Sequence, residues 1–167
     1  MKEIKSTSNF LSKEHHQIIK SMFLNSSFPW FFESFKVVPN DGGFQFTHSF
    51  IDEHVVNSRF YDKLQPLINK LKPRSIRRIK ANLTFKTSKI KKSLFHKDFM
   101  ENAEKLKNMR TAIYYVNTNN GETIFKNGEK EKSTENKMVI FSTNLEHAGT
   151  THTDSLTRIL INFNYYV

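Results

Sequence analysis

The chain has 167 residues and no cysteine, which excludes a disulfide framework, thiolate metal sites and a cysteine nucleophile, and leaves histidine and carboxylate as the strong metal ligands. Hydrophobic residues make up 37% and aromatics 13%, with 16 phenylalanines, so the composition excludes a disordered chain and places the apolar supply in large rings suited to sheets. Lysine and arginine number 26 against 16 acidic residues, a net charge of +10 that attracts nucleic acid, acidic proteins or anionic small molecules without choosing among them.

The length fits one domain, 1–167, with an N-terminal helical part over about 1–75 and a β core over about 76–167. Met1-Lys-Glu-Ile-Lys-Ser has no apolar run behind its charges, and nowhere do eighteen apolar residues occur together, so a cytoplasmic protein without a membrane span is expected. Ser12 caps a predicted helix through about Leu24, with Ile18, Ile19, Met22 and Phe23 on one face. His15 and His16 fall in its first turns and read as solvated or packing histidines. In Phe28-Pro-Trp-Phe-Phe-Glu33 the proline blocks helix continuation, and the aromatics read as core or as a strand start. Phe60, Leu64, Leu67, Ile68 and Leu71 form one face of a second helix, kinked or restarted by Pro66 and ended by Pro73.

From Ile79 the period changes to two. Ile79, Ala81, Leu83 and Phe85 alternate with Lys80, Asn82, Thr84 and Lys86, the pattern of a half-buried strand. The lysine-dense stretch from Lys86 to Lys97 reads as a solvated loop. Thr111–Asn117, Lys137–Ser142 and Leu156–Val167 are further strands, with turns at Asn117–Gly121 and Asn127-Gly128. Helices preceding strands predict an α+β fold, mainly β, whose antiparallel sheets close or double up as in a jelly roll.

His96-Lys97-Asp98 places two metal-competent side chains on one face of an extended segment. Alone the triplet is weak, because a histidine near an aspartate commonly marks a surface pair. His147 offers a third ligand, and two histidines with one carboxylate form the facial triad that leaves positions on Fe(II) for oxygen and an organic acid. In the last strand Arg158, Leu160, Asn162 and Asn164 share one face, while Thr157, Ile159, Ile161, Phe163 and Tyr165 share the other. An arginine and two asparagines on a sheet face either line a polar cavity or stand on an open, solvated side. Arginine's planar fork suits a carboxylate.

The order of His96-x-Asp98, the strand Arg110-Thr-Ala-Ile-Tyr-Tyr-Val-Asn117, Gly121-Glu-Thr-Ile-Phe125, His147 and Thr157-Arg158 resembles the 2-oxoglutarate oxygenases of the prolyl-hydroxylase type, from about Ile79 to the end. The whole chain is also similar to small oxygenases encoded by marine bacteriophages, through Phe28-Pro-Trp-Phe-Phe32, Arg78-Ile-Lys-Ala-Asn-Leu83 and Asn162-Phe-Asn-Tyr-Tyr166. The resemblance implies a cupin-like double-stranded β-helix with supporting N-terminal helices, iron ligands His96, Asp98 and His147, and a cytoplasmic setting in a phage-infected host. It implies Fe(II), 2-oxoglutarate and O2, with ascorbate as reductant. Tyr115 and Arg158 would hold the distal carboxylate of 2-oxoglutarate, and Asn82, Thr123 and Asn162 would line that pocket.

His152 competes with His147 as third ligand, but only six residues separate it from Arg158, against eleven for His147, which favours His147. The carboxylate of Asp98 implies hydroxylation, since halogenating relatives lack it. The resemblance implies a peptidyl substrate of prolyl type or a small molecule. Nucleic acid stays open through the charge, although the last strand lacks the double arginine of nucleic-acid demethylases. A basic, non-enzymatic jelly-roll binding module is the remaining alternative, and His15, His16, His48, His54 and His152 receive no function.

Overall fold

Apolar–polar alternation in the second half of the chain is realised as long antiparallel strands, in a computed structural model that describes residues 4–167. The elements run β1 (Ile4–Thr7), α1 (Lys13–Leu24), β2 (Phe31–Glu33), β3 (Gln45–Asp52), β4 (Val55–Val56), a 3-10 turn (Tyr61–Leu64) and α2 (Gln65–Leu71). They continue as β5 (Ser75–Phe85), β6 (Met109–Tyr115), β7 (Glu122–Phe125), β8 (Lys130–Lys132), β9 (Lys137–Ser142), β10 (His147–Gly149) and β11 (Thr157–Tyr166). The larger sheet has the order β1-β9-β6-β11-β5-β3-β2, with β4 beside β3, and the smaller one the order β10-β7-β8. These are the two sheets of the expected mainly-β jelly roll.

The two faces of the larger sheet have different partners. On the outer face, Ile79, Ala81 and Leu83 of β5 and Ile159, Ile161, Phe163 and Tyr165 of β11 join Ile19 and Phe23 of α1 and Leu67 of α2 in one core. On the inner face, Ile113, Tyr115, Val139 and Phe141 meet Phe125 of β7 in a second, smaller core between the sheets. The polar side of β11 turns toward that inter-sheet space, because strand pleating sends successive side chains to opposite faces. Ser12 caps α1, its hydroxyl accepting from the His15 N–H at 3.2 Å, and Pro66 stands in the first turn of α2, where its missing N–H costs nothing.

Three readings from sequence are corrected. Helices do not precede strands: β1 to β4 lie before residue 75, and β3 is an inner strand of the larger sheet between β5 and β2. β3 carries Phe46, His48 and Phe50 on one face and Thr47 and Ser49 on the other, a short period-two alternation that sequence reading passed over. The aromatics around Pro29 are divided: Phe28 is buried, but Phe31 and Phe32, on an edge strand, are 61% and 64% exposed. The lysine-dense stretch is exposed yet not a free loop, since its backbone is bonded to residues 147–152. Among the described residues no helix is long and apolar enough to cross a membrane.

Candidate metal centre and anion pocket

Two short extended segments bring the histidines together. His96 and His147 exchange backbone N–H···O bonds of 3.0 Å in both directions, so they face each other as a hydrogen-bonded antiparallel pair, and their rings lie 4.7 Å apart. Asp98, two residues beyond His96, falls on the same side. One ligand atom from each of His96, Asp98 and His147 lies within 4.8 Å of the other two. A donor set of two imidazoles and one carboxylate, without sulfur, fits Fe(II) or a similar divalent ion.

The carboxylate of Asp98 is held on both oxygens. Oδ1 accepts from Arg78 Nη2 at 3.1 Å and Asn162 Nδ2 at 3.2 Å, while Oδ2 accepts from Asn164 Nδ2 at 2.8 Å and Thr111 Oγ1 at 3.0 Å. Arg78 is fixed in turn by its Nε donating to Asn164 Oδ1 at 3.0 Å. Burial alone would raise the Asp98 carboxyl; the His147 imidazole, the Arg78 guanidinium, the Asn164 N–H and His96 outweigh it and bring it to about 2. Burial dominates at His147 and pushes it below the ordinary histidine range, so its ring is neutral near pH 7 and free to ligate. Phe125 and Phe141 pack beside the His147 ring at 6.4 and 5.0 Å.

Arg158 stands on β11 and is 5% exposed, with its Nη1 3.5 Å from where a Cβ on Gly149, two residues beyond His147, would lie. Its Nε donates to Ser133 Oγ at 2.8 Å and its Nη2 to the Glu122 carbonyl at 3.4 Å, and its guanidinium carbon lies 5.9 Å from the centre of the Tyr115 ring. Tyr115 Oη donates to Thr123 Oγ1 at 2.7 Å, which groups three of the residues predicted for the co-substrate. Among the described residues no carboxylate lies within 4.0 Å of the Arg158 guanidinium. Burial lowers its pKa, but an arginine there remains cationic, so among the described residues a buried cation stands without an anionic partner. Thr84, directly across from Arg158 on β5, has a buried hydroxyl with no hydrogen-bond partner. The unpartnered hydroxyl and unpaired cation fit an acidic co-substrate.

Of the other predicted residues, Asn162 is bonded to Asp98 instead of Arg158, and its Oδ1 is buried without a partner. Asn82 stands on β5 opposite Leu160 of β11 and Thr47 of β3. His152 is fully buried, has no hydrogen-bond partner for either ring nitrogen among the described residues and lies outside the three-ligand group. His16 bonds the Tyr114 hydroxyl at 2.8 Å; His48 bonds the Pro29 carbonyl and the Ser58 hydroxyl, both at 2.7 Å. His16 thus ties α1 to β6, and His48 ties β3 to the loop segments at Pro29 and Ser58. Sequence reading placed Asn164 on the polar face of the last strand without tying it to Asp98, and it missed Arg78 and Thr111 around Asp98 and Ser133 and Gly121 around Arg158. For Arg78 a signal existed, since it extends the Lys80, Asn82, Thr84 face by one period.

Together the two antiparallel sheets, with the facing histidines on two of their extended segments, define a double-stranded β-helix fold. No family model and no curated protein sequence matches the chain. Among solved structures, it is similar over 98% of its length to a 2OG-Fe(II) oxygenase family oxidoreductase from Burkholderia pseudomallei, with 13% identity, 85% of that chain covered and a TM-score of 0.67. A prolyl hydroxylase from Trichoplax adhaerens, solved with a hypoxia inducible factor oxygen degradation domain peptide fragment, matches over 98% of this chain and 83% of its own, with 12% identity and a TM-score of 0.70. A viral collagen prolyl hydroxylase from Paramecium Bursaria Chlorella virus-1, solved as a 2OG complex, matches over 99% and 97%, with 16% identity and a TM-score of 0.61. The fold is the one these proteins share.

Proposed function

We propose that the chain is an Fe(II)- and 2-oxoglutarate-dependent dioxygenase that hydroxylates a C–H bond and converts 2-oxoglutarate to succinate and CO2. The observation that carries this is the convergence of His96, Asp98 and His147 within 4.8 Å beside a buried arginine that lacks a carboxylate partner. The same three side chains would hold Fe(II), which supplies the oxygen chemistry that protein side chains lack. Around it, Arg78, Asn162, Asn164 and Thr111 fix the Asp98 carboxylate in one orientation, and the His96–His147 backbone pair fixes the two rings. Arg158 binds the distal carboxylate of 2-oxoglutarate, Tyr115 adds its hydroxyl once it turns from Thr123, and the rings of Phe125 and Phe141 keep water from the histidine side.

For the substrate, the likeness to two prolyl hydroxylases supports a peptidyl side chain ahead of a small molecule or a nucleic acid. The test is succinate formation with Fe(II), ascorbate and 2-oxoglutarate across peptides, metabolites and oligonucleotides. His147→Ala should abolish turnover and tight Fe(II) binding, while His152→Ala should keep both. Equal Fe(II) binding by the parent and His147→Ala would overturn the metal assignment.

A further inference from the structure

The segment between β5 and His96 carries Lys86, Lys89, Lys91 and Lys92 without an acidic residue, and all four side chains are exposed. It is fixed in place. Lys91 and Thr151 are joined by two bonds of 2.8 Å, from the Lys91 N–H to Thr151 Oγ1 and from the Thr151 N–H to the Lys91 carbonyl; the Ser93 N–H reaches the Gly149 carbonyl at 2.9 Å. This ladder adds an extended edge to the smaller sheet, beyond β10, and ends on the paired His96.

The ladder has an open side. Lys92 faces Thr150 as the non-hydrogen-bonded pair between these bonds, so its own N–H and C=O point away from β10. Among the described residues, the N–H groups of Ile90, Lys92 and Leu94 have no hydrogen-bond partner. Ile90 and Leu94 flank Lys92 and are 53% and 55% exposed. Lys126, from the β7–β8 turn, lies with Lys92 against the Phe95 ring, the two ammonium nitrogens at 5.1 and 4.5 Å from its centre. Among the described residues, only Lys126 of these five lysines has a carboxylate within ion-pair distance, Glu146 at 3.8 Å.

We propose that this edge docks an extended acidic polypeptide, which adds a strand along residues 90–94 and passes the mouth of the metal centre. Free backbone groups with period-two spacing fit a polypeptide, the lysines fit its carboxylates, and Ile90 and Leu94 fit aliphatic side chains between them. Bases of a single strand would stack on exposed aromatic faces, and here Phe95 is covered by two lysines, while phosphates alone would leave the free backbone groups of the edge unpaired. A second copy of the same edge is repelled by its own charges. That the docked segment is then hydroxylated rests on the oxygenase reading; the docking does not.

The full chain is titrated into a short fluorescein-labelled peptide of alternating glutamate and valine, without metal or 2-oxoglutarate, and anisotropy is read at low and physiological salt. Binding is expected, weakening with salt. It should fall by about tenfold or more for Lys89→Glu with Lys92→Glu, which turns attraction into repulsion, and equally for a peptide N-methylated at alternate amides, which keeps its charge but cannot pair as a strand. Undiminished binding of the N-methylated peptide or to the charge-reversed variant overturns the proposal, as does no peptide binding or tighter binding of a single-stranded oligonucleotide of equal charge. Because the assay needs neither iron nor co-substrate, its failure leaves the oxygenase reading standing, and a failed 2-oxoglutarate titration leaves the docking standing.

Discussion

At the scale of single residues, the pocket rests on a buried cation whose partner must come from a ligand. Arg158→Ala removes that cation and should cost roughly 2–5 kcal/mol of 2-oxoglutarate binding by analogy with truncated buried charge pairs. Tyr115→Phe removes one hydroxyl and should cost about 1–3 kcal/mol. Calorimetric titration into metal-loaded protein measures both, and metal affinity measured without co-substrate should change little in either. Gly121 belongs to the same pocket for a steric reason: a Cβ there would stand 2.8 Å from Asn119 Oδ1, 3.0 Å from Arg158 Cδ and 3.1 Å from Arg158 Nε. Gly121→Ala should therefore push Arg158 off its Ser133 bond and weaken 2-oxoglutarate binding. An unchanged affinity in the same titration would show that the pocket yields elsewhere.

At the scale of elements, β11 carries the site because its faces serve two different cores. Ile159, Ile161 and Phe163 belong to the outer core, and Arg158, Asn162 and Asn164 look into the site, so a register slip of one residue would bury three polar side chains against the helices. α1 supports this sheet through the bond between His16 and Tyr114, and it starts at the Ser12 cap. Ser12→Ala leaves the His15 N–H without its acceptor and should lower stability by about 0.5–2 kcal/mol, read as a shift in urea midpoint with an unchanged slope. The alternation that marks β5 and β11 was legible in sequence because each has one apolar face. β3 went unread although Phe46, His48 and Phe50 alternate with Thr47 and Ser49, because a histidine stands on its apolar face and the register breaks between Ser49 and Ile51, leaving a short pattern.

For the whole molecule, His16, His48, His147 and His152 all have their pKa values lowered from 6.5, each chiefly by burial. The unfolded chain therefore binds more protons than the folded one near and below pH 6.5, so stability is fully present above that pH and is lost as pH falls through it. Asp98 acts in the same direction lower down: with a folded pKa of about 2 against 3.8, its contribution is lost between those values. Metal-stripped protein should show a melting temperature that falls steadily from pH 7.5 to pH 5, and Fe(II) affinity should fall over the same range as the ligand imidazole takes a proton. A melting temperature that rises toward pH 5 would contradict the buried, neutral state of these four rings.

What the sequence determined by itself is what local periodicity and chemistry encode: two helices, the strands with one apolar face, a sulfur-free donor set, and an arginine in a strand of otherwise alternating apolar residues. His96 and Asp98 share one short motif and Arg158 sits in an alternating strand, whereas His147 has no local pattern and follows as the third ligand from its spacing to Arg158. Tertiary structure decided the rest, because it depends on residues far apart in the chain. Asp98 is gripped by Arg78, Thr111, Asn162 and Asn164 from three different strands, Arg158 rests on Ser133 and is crowded by Gly121, and a lysine-rich stretch becomes a fixed sheet edge through bonds to residues more than fifty positions away. Hydrogen bonds of this kind leave no periodicity behind, since a single partner at long sequence separation satisfies each one.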